Sequence, residues 1–199
     1  LMAIVSAIDK SKIQGIFHYG KSGHSIMQVM NIGDLFYQVL TKYELREYIE
    51  LGCSCGGLSI LVADLAEAME RVPFPITAYD IEQPPQKALN DKRVEWLIGD
   101  LHERYAIRGA LARGVSRLIL VDGGNKALEF RLAAPPLRSG DIIMVHDYFH
   151  DQEAFDKSTV WNWFECSYAM VQESVEIYGL KDITAEEGGQ NYAMGIFKA

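Results

Sequence analysis

Cysteine is scarce in this chain of 199 residues: there are three, and two of them, Cys53 and Cys55, are separated by a single residue. An odd, closely spaced set does not make the disulfide framework that staples small secreted domains. Nor does it make a structural zinc site, which takes four ligands; Cys166 is isolated and no second Cys or His pair has matching spacing. Basic clusters are equally scarce. Lys and Arg number 19 against 27 Asp and Glu, for a net charge of −8, and the strongest cationic run is the pair inside Asp91-Lys92-Arg93. A polyanion is held by several clustered cations that displace counterions, so no nucleic-acid partner is expected. No stretch approaches the roughly 20 apolar residues that span a bilayer, so no membrane association is expected either. The opening "LMAIVSAIDKSK" has no basic residue ahead of its apolar run and no cleavage-site pattern, unlike a secretory signal. Together these absences predict a reducing, cytoplasmic setting.

What is present is an ordinary globular composition, 49% hydrophobic and 23% charged, with enough chain for one α/β domain. Strand-like runs bounded by turn residues fall at 47–51 ("EYIEL"), 76–79 ("ITAY"), 94–98 ("VEWLI"), 118–121 ("LILV"), 142–145 ("IIMV") and 192–197 ("YAMGIF"). Amphipathic runs lie between them. Leu58, Leu61, Val62, Leu65 and Met69 recur at helical spacing, and Leu128, Phe130, Leu132 and Leu137 precede a stop at Gly140. Alternating β and α segments predict a mostly parallel, doubly wound sheet. The end of the chain breaks the rhythm: "SVEIYGLKDI" and "NYAMGIFKA" read as two strands without a helix between them, a terminal antiparallel hairpin. Residues 1–45 read as a helical and looped preface, with a helix over "IGDLFYQVLTKY" and a loop over "GIFHYGKSGHS", serving as a lid or an oligomer contact. Residues 46–199 form the main domain.

In an open parallel sheet, ligands bind beyond the carboxyl ends of the strands. The first strand leads into Gly52-Cys53-Ser54-Cys55-Gly56-Gly57, where glycines let the chain turn and a ligand approach. The second ends at Asp80, the third at Gly99-Asp100, the fourth at Asp122-Gly123-Gly124-Asn125, and the fifth at His146-Asp147-Tyr148. Five strands in succession deliver an acid or a glycine turn to one edge. The first loop lacks the middle glycine of a dinucleotide fingerprint, having Ser54 there. Glu50, just ahead of Leu51-Gly52, suits a cationic ligand better than a pyrophosphate.

The pattern of acid, glycine turn and helix, followed by Asp80 and Asp100, resembles the class I S-adenosylmethionine-dependent methyltransferases from about Asp34 to the last residue. The resemblance implies a Rossmann-like, seven-stranded sheet of order 3-2-1-4-5-7-6. It assigns Glu50, Gly52, Ser54 and Gly56 to the methionine end of S-adenosylmethionine, Asp80 to the ribose and Asp100 to the adenine. The segment "RLILVDGGNKALEFRLAAPPLRSGDIIMVHDYFHD" is similar to small-molecule O-methyltransferases of the cephalosporin-hydroxylase-like and macrocin-type branch. There, acids after strands four and five hold a divalent cation such as Mg²⁺, which implies Asp122 and Asp147. Tyr148 stands where a third ligand is usual, leaving Asp151, His146 and Asn125 as candidates to complete a shell.

The implied reaction is methyl transfer to a hydroxyl of a small molecule or sugar. Such a hydroxyl must lose its proton to a base or to a Lewis-acidic metal, and His146 or Asp147 is the expected acceptor. Each residue also has a plainer reading: His146 as a strand-end cap, the cysteines as small side chains in a tight turn. Tyr148, Phe149, Trp161 and Trp163 are candidates for either a substrate pocket or a homo-oligomer contact, and His18 and His24 for a lid or a surface loop. Two other functions compete, a nicotinamide-dependent oxidoreductase and a non-catalytic member that binds the cofactor or serves assembly.

Overall fold

The computed structural model describes residues 17–19, 24–26, 28, 31–100, 114–157 and 165–199. Trp161 and Trp163, and the side chain of His18, lie outside the described residues. In chain order the elements are β1 (Phe17–Tyr19), β2 (His24–Ile26), α1 (Ile32–Lys42), β3 (Glu47–Leu51), α2 (Gly57–Ala68), β4 (Ile76–Asp80), α3 (Gln86–Leu89), β5 (Val94–Ile98), β6 (Arg117–Val121), α4 (Lys126–Ala133), β7 (Ile142–His146), β8 (Tyr148–Phe149), α5 (Gln152–Lys157), β9 (Cys166–Ser167), α6 (Tyr168–Ile177), β10 (Lys181–Asp182), a 3₁₀ turn (Gly189–Tyr192) and β11 (Met194–Lys198).

Seven strands form the central sheet in the order β10-β11-β7-β6-β3-β4-β5. β7, β6, β3, β4 and β5 run parallel, while β11 is antiparallel to both β7 and β10. Counting only these strands along the chain gives 3-2-1-4-5-7-6, the expected order. Two short ribbons, β1–β2 and β8–β9, lie outside it. The first of these replaces the loop expected over "GIFHYGKSGHS".

Strand alternation divides the core into two layers. Tyr48, Leu118, Leu120, Ile142 and Met144 face α1 and α2. Ile49, Leu51, Ile119, Val121, Ile143 and Val145 face the opposite cluster, which includes Phe130 of α4 and Val171 of α6. By the same period, Glu50 and His146 point to the α1/α2 side. α1 presents Ile32, Leu35, Phe36, Val39 and Leu40, an i, i+3, i+4, i+7, i+8 stripe, and all five are fully buried. The Phe36 ring meets Tyr48 edge-on at 5.7 Å. α1 therefore packs into the main core.

The C-terminal hairpin is present but shorter than expected. "SVEI" closes helix α6, so only Lys181–Asp182 pairs with β11. Val175, one of the β-branched residues that suggested a strand there, lies four residues after Val171, and the two bury one helical face against α4. Tertiary packing outweighs their local strand preference. Among the described residues, no helix is long and apolar enough to cross a membrane.

Candidate active site

The order of strands reverses beside β3, whose neighbours β4 and β6 lead away in opposite directions, and the acids collect at that point. Glu50, next to last on β3, is 2% exposed and accepts the hydroxyl hydrogen of Ser59 from the first turn of α2. Burial pushes its carboxyl up to about 8, the Ser59 hydrogen bond pulls the other way, and the nearby Asp122 charge adds to the rise. Glu50 is thus a largely uncharged acid at neutral pH, enclosed in protein.

The glycine loop is stiffer than its sequence suggests. Gly52 (φ 90°) lies back to back with Gly123 at the tip of β6, and a Cβ there would stand 2.4 Å from the Gly123 backbone. A Cβ on Gly56 would strike the Trp96 ring at 2.7 Å, and one on Gly57 would strike the Ser25 carbonyl oxygen at 2.1 Å. Protein atoms alone already require glycine at these positions. Ser54, at the place of the absent middle glycine, holds the left-handed conformation a glycine would take, with φ 45°. Its N–H donates to Asp80 Oδ2 at 2.6 Å, and the N–H of Glu82 donates to Asp80 Oδ1 at 3.0 Å. Asp80 is therefore locked against the loop at the carboxyl end of β4. Asp100 lies exposed, two residues past β5, with β4 and β3 separating that strand from β6. Cys53 is buried and Cys55 half-buried, both free thiols.

Across the switch point, Asp122, His146 and Asp147 converge. They are, among the described residues, the group of His, Cys, Asp and Glu side chains whose ligand atoms all lie within 4.8 Å of one another. His146 Nδ1 is 2.9 Å from Asp122 Oδ1 and 3.4 Å from Asp147 Oδ2. Burial alone would lower the imidazole's pKa, but the two carboxylates outweigh it and hold it at about 9. His146 is therefore an imidazolium at neutral pH, above the range first expected for a base. Asp147 takes a left-handed backbone conformation, φ 50°, that turns its carboxylate back over the site. The cationic neighbours His146 and Lys126 overcome the effect of burial and keep Asp147 below the usual carboxylate range.

Two members of this group escaped the sequence reading. Lys126, buried at the first position of α4, places Nζ 3.2 Å from Asp147 Oδ2 and 3.6 Å from Asp122 Oδ1, and donates to the Gly123 carbonyl at 3.2 Å. A cation at a helix N-terminus opposes the macrodipole, and that anomaly was the available signal. Gln28 Nε2 donates to Asp122 Oδ2 at 2.6 Å, while its own buried Oε1 has no hydrogen-bond partner among the described residues. Other candidates go elsewhere. Asn125 caps α4 by accepting from Leu128 N–H, and Asp151 accepts from Ala154 N–H at the start of α5. Tyr148 is buried against Phe197 and Gly195, in the core rather than in the site. Phe149 packs on Phe155, His24 is half-buried in β2 and His150 is exposed.

No family model matches the sequence, and no curated protein matches it. Solved structures do match. An O-methyltransferase family protein from Burkholderia thailandensis is 13% identical with a TM-score of 0.56, covering 84% of this chain and 55% of its own. The chain thus spans little more than half the length of that relative. CmcI without ligand is 14% identical with a TM-score of 0.62, covering 87% of this chain and 72% of its own. CmcI with Mg and S-adenosylmethionine gives 13% and 0.61, with 87% and 73% covered. An O-methyltransferase family 2 protein from Planctomyces limnophilus in complex with apigenin is 13% identical with a TM-score of 0.54, covering 85% and 58%. The chain has the class I S-adenosylmethionine-dependent O-methyltransferase fold.

Proposed function

We propose that this chain is an S-adenosylmethionine-dependent methyltransferase acting on a hydroxyl of a small molecule or sugar. The observation that carries the reading is Glu50, a fully enclosed acid at the switch point of the sheet. An acid buried without a cation stays protonated, and it ionises when a positive ligand replaces the missing counter-charge. A sulfonium amino acid supplies such a charge. Asp80, fixed by the loop N–H of Ser54, sits at the strand end where a ribose diol is held in this fold. The residues present therefore fit the cofactor. Asp100 is assigned to its adenine end, and Gly52, Ser54 and Gly56 shape the wall beside its methionine end.

When bound, the cofactor supplies an activated methyl group for in-line displacement by oxygen, a reaction governed by alignment. The chain's own contribution lies at the acceptor. His146 accepts the hydroxyl proton only in its neutral form, which becomes the major one above about pH 9; in that form Nδ1–H faces Asp122 and Nε2 is the accepting nitrogen. Asp122 then stabilises the imidazolium that forms, and Asp147 lies on the same ring nitrogen's other side.

Calorimetric titration with S-adenosylmethionine and S-adenosylhomocysteine tests the cofactor half of this reading. Saturable binding of both is expected, and no heat at ~1 mM ligand in folded protein sinks it. Transfer of labelled methyl to a panel of hydroxylated acceptors tests the rest. Binding without transfer to any acceptor would instead favour a non-catalytic role.

A further inference from the structure

The metal-containing neighbour raises the question of whether the Asp122, His146 and Asp147 group suits a divalent ion. As arranged, it does not. Mg²⁺ takes hard oxygen donors in a near-octahedral shell. Here one of the three donors is an imidazole nitrogen already bonded to Asp122, and another Asp122 oxygen is taken by Gln28. The decisive feature is Lys126. Its ammonium contacts both carboxylates from a buried position and is anchored from behind by the Gly123 carbonyl. An ion bridging Asp122 and Asp147 would meet that positive charge at close range.

We propose that the Lys126 ammonium is the resident cation of this site, occupying the electrostatic position that a divalent metal fills in metal-dependent sites. The helix makes the substitution possible. Lys126 follows Asp122 by four residues, so the loop that ends β6 and the first turn of α4 bring acid and ammonium together without any distant element. Asp147, swung back by its left-handed backbone, closes the pair from β7. A fixed ammonium differs from a metal in one consequential way. Its three N–H donors already face Asp147, Asp122 and the Gly123 carbonyl, and it has no exchangeable coordination positions at which an acceptor could chelate.

Metal binding itself is the test, and it stands whether or not the chain transfers methyl groups. Mn²⁺ is titrated into the intact protein and followed by electron paramagnetic resonance, with Mg²⁺ competition by calorimetry. The wild-type protein is expected to show no saturable binding up to ~5 mM. Lys126→Ala, and Lys126→Met as the variant that keeps the apolar stem, are expected to gain binding at least ~10-fold tighter, and Asp122→Asn placed on either is expected to abolish it. Saturable Mn²⁺ binding by the wild type, lost on Asp122→Asn, would overturn the proposal. So would folded Lys126 variants that gain no affinity. If both variants fail to fold, the wild-type titration alone decides.

Discussion

Replacing Glu50 with Gln changes the charge that this side chain can carry while keeping its shape and the oxygen that accepts the Ser59 hydrogen bond. The carboxyl is 2% exposed and titrates near pH 8, against the ordinary glutamate value of 4.5. The sign follows from proton binding. Between those two values the folded state holds a proton that the unfolded state has released, so wild-type stability is greatest below about 4.5 and falls as pH rises through about 8. Each pH unit in that window costs about 1.4 kcal/mol, or about 4 kcal/mol from pH ~5 to pH ~8. Glu50→Gln lacks this dependence. Urea unfolding of both proteins across the window is therefore expected to show the variant gaining on wild type by about that amount. A constant difference, within ~0.5 kcal/mol, would mean that Glu50 is already ionised in the folded protein at the acid end, and the argument from burial would be wrong. The same substitution is expected to weaken S-adenosylmethionine roughly 10- to 100-fold, the usual effect of losing a hydrogen bond to a charged partner.

Two further expectations concern the opposite wall and the loop. His146→Gln removes a group whose pKa rises from 6.5 to about 9 on folding, so the wild type has a stabilising contribution below about pH 6.5 that disappears as pH rises through about 9. The variant's deficit, about 3 kcal/mol at pH ~6, is expected to vanish by pH ~10 in urea titrations; a pH-independent deficit would refute the imidazolium assignment. Gly52→Ala forces a methyl against the Gly123 backbone at a positive φ and is expected to cost about 3 kcal/mol or more, read as a lowered urea midpoint, whereas an unchanged midpoint would show that the two loops can part.

Much of this was legible in the chain because strand alternation and glycine turns are local signals. The runs 47–51 and 94–98 match β3 and β5 residue for residue, and the acids at 80, 122 and 147 lie at the strand ends the pattern placed them on. Other features depended on packing. Nothing near Gln28 announces that it reaches Asp122, since that contact joins segments 94 positions apart. Lys126 drew no notice in the sequence, and only its place at the start of α4 turns it inward. "SVEI" carries β-branched residues yet ends a helix, because α4 offers that face a partner. The glycines of the first loop were read as letting the chain turn and a ligand approach; that Gly123, Trp96 and Ser25 occupy the space of their missing side chains was not legible.

The contact between Gly52 and Gly123 has a historical consequence as well. A Cβ at Gly52 would meet the Gly123 backbone, and one at Gly123 would meet the Glu129 carboxylate, so drift at Gly52 is checked by a loop that follows a different strand. The loops after β3 and β6 are therefore constrained together. On the proposed function, new acceptors would be acquired at the periphery, through segments that do not touch this contact.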